Sequence, residues 1–360
     1  MSLRELRRHA GRLAIVGFAG QSAPADLRQL VADFDLGGVI YFSRNVDTPE
    51  QLAELSREVS ALARDWPFWI SVDQEGGRVA RLKSPFTEWP PAATLGRSDD
   101  PTLAERFARA LAAELRAVGI DLDYAPVLDV HTNPANPVIG DRAFAARAED
   151  VARLGETVIR TLQQSGVAAC GKHFPGHGDT SVDSHEALPI VEYDRRRLDA
   201  VELVPFRRAI AADVAMIMTA HVMIPALDER QIGSFSRTIV QRLLKDELGF
   251  RGVVVSDDLG MKAVSADTPL PEASVRAIQA GCDALLLCNS TIDEQVAAIE
   301  ALIRAAESGE ISPTRLDDAF KRQHAVKARM RDLTPTMPVG LDVIGSLAHQ
   351  AVSAEMARWV

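Results

Sequence analysis

Val167-Ala168-Ala169-Cys170-Gly171-Lys172-His173-Phe174-Pro175-Gly176-His177-Gly178-Asp179-Thr180-Ser181-Val182-Asp183-Ser184-His185 is an apolar run that stops abruptly in a polar loop. After Cys170, fifteen residues carry three His, two Asp, one Lys and four Gly or Pro. So many polar groups could not all be satisfied in a core. The Gly and Pro residues punctuate the chain, so the segment reads as a structured loop following a strand. Loops held on a rigid scaffold are where catalytic groups gather.

The same grammar recurs along the chain. Short apolar runs occur at Leu13–Phe18, Gly38–Phe42, Phe68–Val72, Leu122–Leu128, Val167–Lys172, Ala215–Ala220, Gly252–Ser256 and Ala284–Cys288. Helical stretches separate them: Ala25–Phe34, Thr48–Arg64, Pro101–Val118, Asp150–Ser165, Leu198–Ala212, Arg237–Leu248 and Glu272–Ala280, with Ile292–Ala306 after the last. Strands alternating with helices imply parallel βαβ units. Eight of them predict an α/β fold of the TIM (β/α)8 barrel type, with a doubly wound open sheet as the alternative. Polar residues decide between the two. Asp73 and Glu75, Asp129 and His131, Lys172 and His173, His221, Asp257 and Asp258, and Asn289 follow successive strands. A barrel brings all these ends to one face, whereas an open sheet would spread them along an edge. We expect the barrel over residues 1–330 and a C-terminal helical extension, 331–360, packed on it or on a partner.

The chain has 360 residues, 47% hydrophobic and 25% charged, which supplies a large core. A net charge of -10 argues against nucleic acid or an anionic membrane as partner. Cys170, Cys282 and Cys288 are an odd number in apolar surroundings, as expected of reduced thiols rather than a disulfide framework. Arg4, Arg7, Arg8 and Arg12 precede Leu13–Gly20 in the manner of a signal peptide. The apolar part is short and Arg12 abuts it, so a first strand is the better reading and the cytoplasm the expected compartment.

Asp257 and Asp258 end the run Gly252-Val253-Val254-Val255-Ser256. Neighbouring side chains at a strand end point different ways, so one carboxylate faces the barrel mouth and the other supports it. A carboxylate there can be a nucleophile, a metal ligand or a general base. Asp183 and His185, two apart in the polar loop, can pair, the carboxylate fixing the imidazole tautomer. Asp73, Arg81, Arg142, Lys172 and His173 converge on the same mouth and suit a hydroxyl-rich ligand. Zinc is a competing possibility, with His173, His177, His185 and His221 joined by Asp73 or Asp257.

These residues resemble a known family, the glycoside hydrolase family 3 β-N-acetylhexosaminidases of the short, single-domain bacterial kind. The resemblance lies in Lys172–Thr180 with Asp183-Ser184-His185, in Leu243-Leu244-Lys245 through Gly252–Met261, and in Asp73–Val79, Gly140–Phe144 and Met218–His221. It spans roughly residues 10 to 330. It implies that Asp257 is the nucleophile of a retaining mechanism with a covalent glycosyl-enzyme. His185 would be the general acid/base, oriented by Asp183. Asp73, Arg81, Arg142, Lys172 and His173 would bind the terminal non-reducing N-acetylglucosamine, without metal or organic cofactor. The implied substrates are muropeptides of cell-wall recycling, GlcNAc-β-1,4-anhydroMurNAc and its peptides, handled by a monomer or homodimer. Open alternatives are a phosphorylase using the same residues, assistance by the substrate acetamido group, and a sugar-binding barrel without catalysis.

Overall fold

The computed structural model describes residues 3–63, 66, 68–182 and 188–360. Eight parallel strands close into a barrel in sequence order: β1 (Ala14–Gly17), β2 (Gly38–Tyr41), β3 (Trp69–Val72), β4 (Leu122–Asp123), β5 (Ala168–Phe174), β6 (Met216–Thr219), β7 (Val253–Asp258) and β8 (Ala284–Leu287). β8 pairs back onto β1 through Ala14 opposite Leu285 and Val16 opposite Leu287, which closes the ring. The expected TIM barrel is the observed one.

Alternation along each strand builds two cores. Ile15, Ile40, Trp69, Leu122, Cys170, Met216, Met218, Val253, Val255 and Leu286 fill the barrel interior. Their neighbours Val16, Val39, Ile70, Ala169, Ile217, Val254 and Leu287 face outward into the helix layer. Fully burying each large side chain is worth roughly 1.5–3 kcal/mol.

Several elements differ from expectation. Leu122–Leu128 forms a strand only at Leu122–Asp123. Pro126 has no N–H to give the ladder, and pairing resumes as a single bridge between Val127 and Lys172. Leu198–Ala212 is two helices, Arg195–Ala200 and Leu203–Ala211. Continued through, it would set the Pro205 ring against the Val201 carbonyl four residues back. Arg237–Leu248 is a π-helix over Thr238–Glu247. The long helix Pro313–Leu333 lies outside the expected elements. Its buried stripe includes Gln323 and Lys327 among Leu316, Ala319, Val326 and Met330, so the apolar period is disguised. Val326 and Met330 enter the interior cluster and stopper the N-terminal end of the barrel.

A helix over Leu3–Gly11 precedes β1. Among the described residues no helix is long and apolar enough to cross a membrane. The three cysteines are buried and free. At the far end, the helix Leu347–Ala357 lies against the helix Pro101–Ala117 and buries Ser353 and Met356.

Candidate active site

The C-terminal ends of the strands surround a cavity of about 360 Å³. It is lined by Asp73, Glu75 and Arg81 after β3, Arg142 after β4, Lys172 and His173 on β5, Asp257 and Asp258 on β7, and Asn289 after β8. That volume lies within the range of small-ligand sites.

One wall is an ion network. Lys172 Nζ is 2.8 Å from Asp73 Oδ1 and 2.6 Å from Glu75 Oε1. Arg142 grips Glu75 in a two-pronged pair, with Nε to Oε2 and a terminal nitrogen to Oε1 both at 2.8 Å. Arg81 reaches Asp73 Oδ2 at 3.4 Å and lies over the Phe42 ring at 5.3 Å. Burial works to raise the Glu75 carboxyl, but Arg142 and Lys172 outweigh it and hold it far below the usual range. Burial likewise opposes the Lys172 ammonium, and Asp73 and Glu75 together push its pKa up instead. Glu75, Lys172 and Arg142 are therefore all held in their charged forms around neutrality. Fixed charges of both signs facing a cavity are suited to gripping sugar hydroxyls, which both donate and accept.

His173 is placed by a buried carboxylate. Asp129 Oδ2 is 2.7 Å from His173 Nδ1, and Asp129 Oδ1 accepts from the His177 amide at 2.7 Å. A carboxylate only accepts, so the proton sits on Nδ1 and the tautomer is set. Burial would raise Asp129, but His173 and the donors of His177 keep it below its ordinary value. His177 stacks edgewise on His173 at 5.8 Å between centroids and pairs with Thr180 Oγ1 at 2.7 Å. Its burial depresses its pKa to about 4.

On the opposite wall the two neighbouring aspartates divide the work. Asp258 accepts from the amides of Cys288 at 3.0 Å and Gly260 at 3.1 Å, and from the Asn289 side chain at 3.2 Å. Its carboxylate is tied into the β7–β8 corner, and burial raises its pKa. Asp257 is more exposed, lines the cavity, and accepts from the Asp258 amide at 2.8 Å. His221 does not line the cavity. Fully buried, it donates from Nε2 to the Asp258 carbonyl at 3.1 Å and accepts from Ser234 at 2.9 Å through Nδ1, so it steadies the turn that carries both aspartates.

Of the residues singled out from sequence, Asp73, Arg81, Arg142, Lys172, His173 and Asp257 thus meet in one cavity. Asp183 and His185 lie outside the described residues. Glu75 and Asp129 are central to the geometry, and the sequence marks them only as polar residues that follow strands. The signal for Glu75 is its spacing from Asp73, since residues two apart in extended chain share a face. The zinc grouping does not form among the described residues, where no three His, Cys, Asp or Glu side chains converge as ligands.

Residues 5–326 match the N-terminal domain of glycosyl hydrolase family 3. A β-hexosaminidase of Thiobacillus denitrificans is 44% identical over 293 residues, covering 78% of this chain and 80% of that one. The glycoside hydrolase family 3 β-N-acetylglucosaminidase of a Paenibacillus species superposes with a TM-score of 0.93 at 41% identity, over 100% of this chain and 69% of that one. NagZ of Neisseria gonorrhoeae, solved with N-trifluoroacetyl-D-glucosamine, gives a TM-score of 0.76 at 32% identity over 96% and 97% of the two chains.

Proposed function

Because this chain belongs to glycosyl hydrolase family 3 and is a β-hexosaminidase of that family, we propose that it is a retaining β-N-acetylglucosaminidase acting through a covalent glycosyl–Asp257 intermediate. The observation that carries the reading is the division between Asp257 and Asp258. Asp258 spends both oxygens on the β7–β8 corner, while Asp257 stands at the cavity across from the Lys172–Glu75–Arg142 wall. A retaining enzyme needs one carboxylate within reach of the anomeric carbon, and the position of Asp257 in the cavity lining supports giving it that role.

In this scheme Asp73, Arg81, Arg142, Lys172 and His173 hold the terminal N-acetylglucosamine, with Glu75 ordering the two cations that flank it. Asp257 attacks the anomeric carbon as the aglycone leaves. His185, oriented by Asp183, gives its proton to the leaving oxygen and then takes one from the incoming water. The His–Asp pair replaces the second carboxyl group that most glycosidases use. The substrates we assign are muropeptides, GlcNAc-β-1,4-anhydroMurNAc and its peptides, turned over in the cytoplasm. A pocket with room for one sugar, opening at the barrel mouth, supports cleavage from the non-reducing end.

A 5-fluoro-N-acetylglucosaminyl donor, followed by mass spectrometry, tests the scheme. The expected result is a sugar adduct on the peptide containing Asp257, absent from Asp257→Ala. Ordinary release of aglycone with no adduct at any time would overturn it and turn the mechanism toward the acetamido group.

A further inference from the structure

Glu75 and Arg81 project from one small hairpin, Gln74–Gly76 paired with Val79–Ala80, and Asp73 enters it. Its turn, Gly76–Gly77, runs at φ of +97° and +57°, a region open to glycine at little cost. The turn rests on the strip Trp89–Pro91. The Gly77 amide donates to the Trp89 carbonyl at 2.8 Å, and a Cβ on Gly76 would lie 2.6 Å from the Pro90 oxygen. No slack separates the two layers, so a shift of the strip moves the hairpin.

Behind the strip stands the C-terminal segment, beyond the residues matched by the family. The buried Glu114 carboxylate is the junction. It accepts from Thr87 through the amide at 2.9 Å and the hydroxyl at 2.5 Å, from the Gly345 amide at 3.1 Å, and from His349 Nδ1 at 2.8 Å. Ser353 Oγ donates to the Glu88 carbonyl at 2.6 Å. The Trp89 ring lies between Phe107 at 5.1 Å and His349 at 6.5 Å. Met356 enters the main core and Val352 packs against it, which attaches the helix Leu347–Ala357, while these directed bonds fix where it sits over the strip.

We propose that residues 341–357 brace the sugar-binding hairpin. His349, Gly345 and Ser353 act through Glu114 and residues 87–91 to hold the Gly76–Gly77 turn, and through it the placement of Asp73, Glu75 and Arg81. They are positioning residues that touch no substrate. The inference rests on reading the cavity as the sugar site.

The test compares full-length wild type with His349→Ala/Ser353→Ala. Controls are Arg97→Ala and Arg106→Ala, which loosen the same segment at Trp359 and Glu355 without touching the strip. Hydrogen exchange of the peptide spanning 73–82 is read together with steady-state kinetics on an aryl β-N-acetylglucosaminide. The double variant is expected to exchange that peptide about fivefold faster. KM should rise about three- to tenfold with kcat within about twofold, since binding is lost alike from ground and transition states. His349→Asn, which restores a donor near Nδ1, should recover most of the loss, and the controls should match wild type. Exchange in 73–82 that is unchanged in the double variant, or equally fast in the controls, overturns the proposal even if thermal stability drops. A wild-type protein that releases no sugar would instead defeat the reading of the site, and the exchange comparison would still decide the brace.

Discussion

Two clusters at opposite ends of the barrel use the same chemistry to different ends. At the N-terminal end Asp283 is fully buried, with Lys245 Nζ at 2.7 Å, Arg315 beside it, and the Val254 amide at 3.0 Å. Its oxygens tie β7 and β8 to the π-helix and to the helix Pro313–Leu333. At the C-terminal end Asp73 and Glu75 meet Lys172, Arg142 and Arg81, side chain to side chain, at the edge of a cavity. One cluster spends its carboxylate on the chain's own amide and two helices. The other is cross-linked mainly between side chains, with Arg142 also reaching the Val138 carbonyl, and leaves polar edges turned inward. A buried charge pair that binds the fold to itself is structural, and one that borders an empty volume can recognise a ligand.

The sharpest way to break this contrast is to swap where function fails. On the proposed mechanism, Asp257→Asn should lower kcat/KM on an aryl β-N-acetylglucosaminide by at least about a thousandfold, because among the described residues of the cavity Asp258 is tied to the β7–β8 corner and Asp73 and Glu75 are held in ion pairs. Its thermal midpoint should stay close to wild type. If turnover survives within tenfold, the C-terminal face has been misread.

Asp283→Ala should do the reverse. It leaves Lys245 and Arg315 without their buried shared acceptor and with only the more exposed Asp318 as a common partner, which costs about 3 kcal/mol of stability in denaturant titration. The molecules that remain folded should turn over at near the wild-type kcat. A large drop in kcat at full folding would erase the distinction between the two ends.

A smaller effect sharpens the picture within the C-terminal face. His177 has its pKa depressed by burial to about 4 from 6.5. Between those values the unfolded chain binds the extra proton and the folded chain does not, so stability falls as pH drops through this window. The loss should approach about 3 kcal/mol by pH 4, and none of it should appear above pH 7. Stability curves of wild type and His177→Asn that run parallel from pH 7 to pH 4 would remove His177 as the cause.

Much of this was readable along the chain. The apolar runs located all eight strands, because a parallel strand buried on both faces must be continuously hydrophobic. Lys172, His173, Asp73 and Asp257 were legible as site candidates because a polar residue that ends such a run in a barrel has one face to go to. Glu75 and Asp129 were visible at strand ends, but their partners were not. Arg142 lies 67 residues from Glu75, and His173 lies 44 from Asp129. The helix Pro313–Leu333 was hidden for a related reason. Lys327 sits on its buried stripe with its ammonium 4.4 Å from the centre of the Trp69 ring, a contact no local period announces.

The sequence by itself therefore determined the barrel, its order, and which strand ends are polar, since periodicity and the need to bury apolar surface are local properties of the chain. Tertiary structure alone decided which carboxylate is tied down and which faces the cavity. It also decided that Glu75 is held ionised between two cations, and that the C-terminal segment lies behind the hairpin that carries Glu75. Those outcomes depend on distances between residues remote in sequence, and electrostatics and hydrogen bonding respond to distance and burial rather than to position along the chain.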